Sequence, residues 1–485
     1  MNERACHPRP PCARRAVAAA LVALAASGCT AGPDFVRPAA PPFEHYTWHD
    51  GAILAHGEGG AAQSLRGGQA VPARWWQAFG SPALDALVAM ALDGSASLAS
   101  ARDTVAQAQH VLDAARGARY PRIDLTASGV RAKGGRDGGL DGVANVLSFG
   151  PALSADADAF GATRRRIEQA QALSDYQFAQ WQSARLSLSG NTVLQAITLA
   201  AAREQIAAVG DIIAVDQRNL DLVRLAAQAG KSARLDVLTA ESQLDSDRAL
   251  LPPLQQQASV AAHALAVLAG KTAPWQPPPF TLQAFTLPAR LPLVLPSLLV
   301  RRRPDILAAE AQLHAASAAI GIAAAQLYPD VTLSAQWTAT GATAGSLLGG
   351  ASLWSLAASL VAPVFDAGVL AAQRAAATDA YAAQLEAYRQ TVLQAFGQVA
   401  DALEALQHDV ALLEAQRKAL ETALAVLGLT QQSYQAGQAS LLQLLEAQRL
   451  YQQARLGHAR AQGQRHADTA QWFIVMGGAQ PDQLP

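Results

Sequence analysis

The chain has 485 residues, 51% apolar and 15% charged, with a formal net charge of −1. It carries ample apolar surface for a buried core and lacks the basic excess that nucleic-acid binding needs. Aromatics supply only 6% while Leu, Ala and Gln dominate, a bias toward long helices packed closely through small side chains.

Residues 1–28 read as an export signal: Arg4, Arg9, Arg14 and Arg15 precede the apolar run Ala16 to Ala26, which is too short to span a bilayer as a mature helix. The segment ends at Ala26-Ser27-Gly28-Cys29, small residues leading into a thiol. A lipoprotein peptidase needs that arrangement, so Cys29 is the expected site of acylation; ordinary A-x-A-type cleavage is the competing reading. Processing would remove Cys6 and Cys12 and leave Cys29 as the one cysteine, without an internal disulfide. Thr30 in place of Asp favours sorting to the outer membrane. Residues 29–74 then read as a lipidated, extended N-terminal arm. Within it Glu44, His45 and His49 follow Pro41-Pro42 in an extended arm and lack a convincing third ligand, so no metal site is expected there.

The remainder reads as a tandem duplication, 75–290 and 291–478, with a tail over 479–485. Tyr120-Pro121-Arg122-Ile123-Asp124-Leu125 recurs 208 positions later as Tyr328-Pro329-Asp330-Val331-Thr332-Leu333. Gln228-Ala229-Gly230 recurs after 207 as Gln435-Ala436-Gly437, and Phe160 and Tyr176 after 205 as Phe365 and Tyr381. Each half is expected to run helix, strand pair, very long helix, short turn, long helix.

Short alternating runs over about 121–160 and 329–366 predict two β-hairpins with glycine-rich tips at Gly134 to Gly142 and Gly341 to Gly350. Pro121 and Pro329 stand where helix must become strand. In the second half Val392, Phe396, Val399, Leu403, Leu406, Val410, Leu413, Leu420, Leu424 and Leu427 alternate steps of 4 and 3, a coiled-coil seam broken at Arg417. No proline occurs from Gly368 to Tyr434, so this helix should reach on the order of 100 Å. The helix–helix turns fall at about 229–235 and 436–442. Four strands cannot span a membrane alone, because open edges would leave amides unpaired in hydrocarbon. Three copies would supply twelve strands.

With these landmarks the sequence resembles the outer-membrane efflux family, the TolC-type channels, in its lipoprotein branch. The resemblance runs through Gly28-Cys29-Thr30-Ala31-Gly32-Pro33-Asp34-Phe35-Val36-Arg37-Pro38 and Trp75-Trp76-Gln77-Ala78-Phe79. It continues in Leu295-Pro296-Ser297, Arg302-Arg303-Pro304-Asp305-Ile306, Ala309-Glu310, Ile320-Gly321 and Tyr328-Pro329. It implies a mainly α fold with a transmembrane β part: a duplicated α/β/α protomer whose homotrimer forms a 12-stranded β-barrel in the outer-membrane lipids, continued by a periplasmic α-helical barrel. It also implies a passive duct serving a periplasmic adaptor and an inner-membrane transporter of the RND type. A duct for protein secretion or metal-ion export would share the architecture, and a lipid-anchored scaffold without a pore is the reading from another class.

By the same resemblance the two turns form the adaptor-contacting tips, at Gly230, Lys231 and Ser232 and at Gly437, Gln438 and Ser440. The acidic rings that narrow such tips map onto Asp236, Gln443 and Glu446, with Gln443 departing from the acidic pattern. Asp236 and Glu446 as helix-start charges is the competing reading.

Gly230-Lys231-Ser232 and Gly270-Lys271-Thr272 lack the upstream glycine of a phosphate loop, Leu225 and Leu265 standing there. The Arg301-Arg302-Arg303 run is expected to face solvent or pair with acids, and Trp75 and Trp76 to dock the first helix. No nucleophile triad, cysteine pair or spaced carboxylate set appears, so neither an enzyme nor a cofactor is expected.

Overall fold

The computed structural model describes residues 30–39, 46, 63–134, 142–347 and 349–478. The signal segment, Cys29, the Glu44, His45 and His49 group and the 479–485 tail lie outside the described residues. In chain order the elements are β1 (Ser64–Gly67), a 3-10 turn (Trp75–Phe79), α1 (Pro82–Gly94), α2 (Ala96–Gly117), β2 (Arg122–Gly134) and β3 (Gly142–Asp156). Next come α3 (Ala162–Gln228), α4 (Arg234–Arg248), α5 (Leu251–Leu268), β4 (Arg290–Leu293), α6 (Pro296–Leu299) and α7 (Pro304–Ala325). The chain closes with β5 (Asp330–Gly341), β6 (Ala351–Val361), α8 (Val369–Gln435) and α9 (Leu441–Val475).

The two longest helices, α3 and α8, have 67 residues each and start and stop in the same way. Asp158 accepts the Thr163 and Arg164 amides at 2.7 and 3.0 Å, and Asp366 accepts those of Gly368 and Leu370 at 3.0 and 2.7 Å, which satisfies donors that a helix N-terminus leaves unpaired. These amides hold the Asp366 carboxyl below the usual carboxylate range. At the far ends Gly230 and Gly437 take positive φ (69° and 73°), and the next amides, of Lys231 and Gln438, reach back to Ala226 O and Ser433 O at 2.8 Å. Both ends are therefore the glycine-terminated cap that only a residue without Cβ enters at no cost.

The return limbs differ. In the second half α9 is one helix of 35 residues, whereas the first-half limb is broken between α4 and α5 at Ala249-Leu250. Pro252 and Pro253 follow directly; without N–H groups they cannot continue the α4 hydrogen-bond ladder and are accepted only in the first turn of a new helix.

The chain divides into two compact units that cut across the duplication. One, residues 1–38, 105–177 and 309–388, holds a four-stranded antiparallel sheet in the order β2-β3-β5-β6. Each hairpin pairs as predicted, Ala127 opposite Phe149 and Trp337 opposite Trp354, and β3 joins β5 with Leu153 opposite Ala335. The β3–β5 ladder is interrupted at Gly150-Pro151, where proline has no amide to donate and a Cβ on Gly150 would lie 1.9 Å from Trp337 O.

The other unit, 39–104, 178–308 and 389–485, carries the main core. Trp75 stacks on Phe473 at 5.4 Å, beside fully buried Phe79, Leu84, Ile197, Leu265, Phe280 and Trp472. Trp76 is buried too, its indole donating to Asp85 at 2.8 Å, so both tryptophans dock the 3-10 turn and α1 as expected. Seam residues Val392, Val399, Leu403, Leu406 and Val410 are buried, while Leu424, toward the end of α8, is exposed. The arginine run splits. Arg301 and Arg302 are exposed, but Arg303 is buried and donates to Ala395 O and Val475 O, both at 3.2 Å, and to Asp305 and Gln398. It thereby caps the carbonyl end of α9, a contact with no signature in the run itself.

Candidate functional site

The sheet is the first element a conduit would need. Among the described residues its terminal strands, β2 and β6, each pair on one side only, and every residue of β6 is exposed. Ile123, Leu125, Leu353, Leu356 and Leu360 are exposed apolar side chains on these edge strands, with Trp354 80% exposed. In hydrocarbon each unpaired edge amide would cost several kcal/mol, so a membrane-embedded sheet of this kind needs further strands to close it. Aromatic side chains mark its helix-proximal end: Phe160 stacks on Tyr328 at 4.8 Å, and Tyr120 and Phe365 are exposed, an arrangement suited to a membrane–water boundary.

A strap lies against that end of the sheet. From Thr30 to Pro38 the N-terminal segment follows α3 and α7, with Ala31 N donating to Phe160 O at 3.0 Å. The buried Arg165 guanidinium gathers it, reaching Ala31 O (3.2 Å), Gly32 O (3.3 Å), Asp34 (2.8 Å) and Glu168 (2.7 Å). Gly32 rests so closely on Gly321 that a Cβ would meet the Gly321 Cα at 2.4 Å. Phe35 stacks on His314 at 4.3 Å and Arg37 meets Glu310 at 2.6 Å. Sequence reasoning placed an extended arm here but missed its clamp. The pairing of two glycines far apart in the chain leaves no local pattern.

In the other unit the turns stand at the ends of α3 and α8. Gly230, Lys231, Gly437, Gln438 and Ser440 are exposed and Ser232 is half-buried, so both turns are open to a partner. Of the three gate candidates, Asp236 and Gln443 lie in the first turns of α4 and α9 and Glu446 in the second turn of α9, and all have local partners. Asp236 accepts Ser232 Oγ at 2.7 Å and the Ala233 amide at 3.0 Å. Gln443 accepts the Ser440 amide at 2.7 Å while Ser440 Oγ accepts the Gln443 amide at 3.3 Å, a reciprocal capping box. Glu446 is held by Arg449 at 2.5 and 2.9 Å, which keeps its carboxyl below the usual range. Asp236 and Gln443 thus serve as helix caps within the protomer.

Comparison with known proteins adds the decisive observation. The profile described as "Outer membrane efflux protein" matches twice, over residues 87–271 and 295–478, once for each half. This chain belongs to the outer membrane efflux protein family. It is 32% identical over 469 residues to nodulation protein T of Rhizobium leguminosarum bv. viciae, covering 95% of this chain and 93% of the relative. Against the pyoverdine export outer membrane protein OpmQ of Pseudomonas putida the identity is 34% over 430 residues, covering 85% and 90%. Among solved structures the outer-membrane channel OprN superposes with a TM-score of 0.84 at 28% identity, covering 93% of this chain and 99% of that one. The open state of the MtrE outer membrane channel of Neisseria gonorrhoeae gives 0.82 at 26%, covering 93% and 98%. An outer membrane efflux protein is a channel in the outer membrane with a periplasmic helical part, and not an enzyme.

Proposed function

We propose that this outer membrane efflux protein is the exit duct of a tripartite efflux pump, passing small toxic organic compounds from an inner-membrane RND-type transporter and a periplasmic adaptor to the exterior. The observation that carries the reading is the single sheet formed by two hairpins, one from each repeat, with both outer edges unpaired among the described residues. Three copies would close twelve strands into a barrel without edges, and their long helices would continue the wall into the periplasm. The export roles printed for its relatives, pyoverdine among them, favour a small-molecule cargo.

The tips at Gly230 to Ser232 and Gly437 to Ser440 would receive the adaptor, and Asp236, Gln443 and Glu446 would narrow the resting aperture. Cys29 would carry the acyl anchor, one residue before the docked strap begins at Thr30. Because energy comes from the transporter, the duct needs no catalytic group.

The test is survival of a strain stripped of its own exit ducts, expressing this chain with and without a cognate adaptor and transporter, against a panel of toxic compounds. Restored resistance that requires the pump establishes the role. A correctly localised trimer that never rescues would overturn it.

A further inference from the structure

One buried group takes no part in the conduit as described. Asp216 of α3 and Asp247 of α4 are 3% and 7% exposed, and they stand as neighbouring acids where Leu220 and Val223 of α3 pack with Ala240 and Leu244 of α4. The groups around them are amides: Gln452 of α9 lies beside Asp216, and Gln243 of α4 donates to Asp247 Oδ2 at 2.8 Å. One turn along, Asn219 donates to Gln448 of α9 at 2.5 Å. The charged neighbours on the same helices have other partners, Arg455 with Asp211 at 2.7 Å, Arg248 with Gln217 at 2.9 Å and Arg224 with Glu241 at 2.5 Å. Asp216 Oδ2 is buried and receives no N–H or hydroxyl donor among the described residues.

Two carboxylates in contact, shielded from water and without a cation, repel strongly, and a single proton between them removes the repulsion and supplies the missing donor. We propose that Asp216 and Asp247 form a proton-binding latch: a shared proton holds the outgoing helix α3 to the return helix α4, and its release to water drives the two helices apart. The proposal concerns helix pairing within one chain, and it rests on the exit-duct reading only for its effect on the pore.

Burial first, and then the facing Asp247 carboxyl, push Asp216 up to about 7, while Gln452 pulls it down. The direction of the pH effect follows. An acid raised in the paired state contributes full pairing stability below its ordinary value, and that stability is lost as pH rises through about 7. The latch is therefore tightest in acid and half-released near neutrality. Asp409 of α8 and Asp468 of α9 make a second acid contact, in which Asp409 is likewise pushed to about 7 by burial and by Asp468, with Arg465 opposing.

The measurement is infrared difference spectroscopy on the purified full-length trimer between about pH 5 and about pH 9, with Asp409→Asn as the parent so that the second pair is silent. A protonated-carboxyl band should vanish with a midpoint near 7, and it should be absent from Asp216→Asn and from Asp247→Asn. Amide-exchange protection in α4, corrected for intrinsic pH dependence, should fall with pH in the parent and stay flat in Asp216→Asn, whose amide replaces the shared proton. The absence of any such band between about pH 5 and about pH 9, or a band that survives both substitutions, would overturn the latch. Absence of conductance from the trimer would instead count against the exit-duct reading and leave the band as the judge of the latch.

Discussion

Arg165 and Asp34 meet at 2.8 Å although 131 residues separate them, and this contact ties the segment following Cys29 to the first turn of α3. Asp34 is largely exposed, so the Coulombic part of the pair is weak. The buried guanidinium contributes more through the carbonyls of Ala31 and Gly32, which otherwise lose their donor. Arg165→Met should therefore weaken strap docking by about 1–3 kcal/mol and Asp34→Ala by less. Limited proteolysis reads this directly: cleavage within 30–39 should speed up strongly in Arg165→Met and little in Asp34→Ala. Equal resistance of both variants would show that the glycine contact alone holds the strap.

A Cβ at position 150 would collide with the Trp337 carbonyl of the neighbouring strand. Gly150→Ala should separate β3 from β5 and so uncouple the two hairpins, because no side-chain movement relieves a clash with backbone. The expected outcome is a folded helical region with loss of heat-resistant trimer on semi-native gels. Retention of the full trimer would mean that the strands shift without consequence.

Arg303 serves two carbonyls from separate helices and an acid of its own turn. Arg303→Met keeps the apolar stem but leaves the buried Val475 carbonyl, at the end of α9, without this donor, a loss of about 1–3 kcal/mol. Arg301→Met, at an exposed position, should change thermal stability within about 0.5 kcal/mol. Thermal denaturation of the two variants side by side checks the contrast.

The gate and the helix cap make opposite demands on Asp236. Its carboxylate accepts from Ser232 and Ala233, so Asp236→Ala removes a cap contribution of roughly 1 kcal/mol as well as the charge, whereas Asp236→Asn retains an acceptor oxygen and removes the charge alone. If a ring of charge narrows the tip, both substitutions should raise conductance in planar bilayers. If the residue only caps, Asp236→Ala should lower stability and Asp236→Asn should leave conductance unchanged. For Glu446 the partner is Arg449 on the same helix, and Glu446→Gln separates charge from bulk in the same way.

Much of the fold is written in local patterns. The alternation over 122–134 and 330–341, the heptad steps of α8, the glycine after each long helix and the 205–208 residue recurrence each involve neighbours in the chain, whose geometry the backbone period dictates. The proline pair at 252 and 253 marks a break on the same local grounds, although a continuous return limb was expected there. The ends of the two long helices at Gly230 and Gly437 were likewise legible, because capping chemistry lies within a few residues of the helix end.

What the tertiary structure decided concerns contacts without a period. Which hairpin edges meet, β3 against β5, follows from packing two equivalent hairpins side by side, and alternation alone is the same for every order of strands. Arg303 turns inward while Arg301 and Arg302 stay in water, because only position 303 reaches the end of α9. Arg165 finds the strap and Asp216 finds Asp247 across helices. A buried polar side chain is set by the one donor or acceptor that the fold places before it, and that partner stands 31 to 172 residues away in these cases with no spacing to announce it.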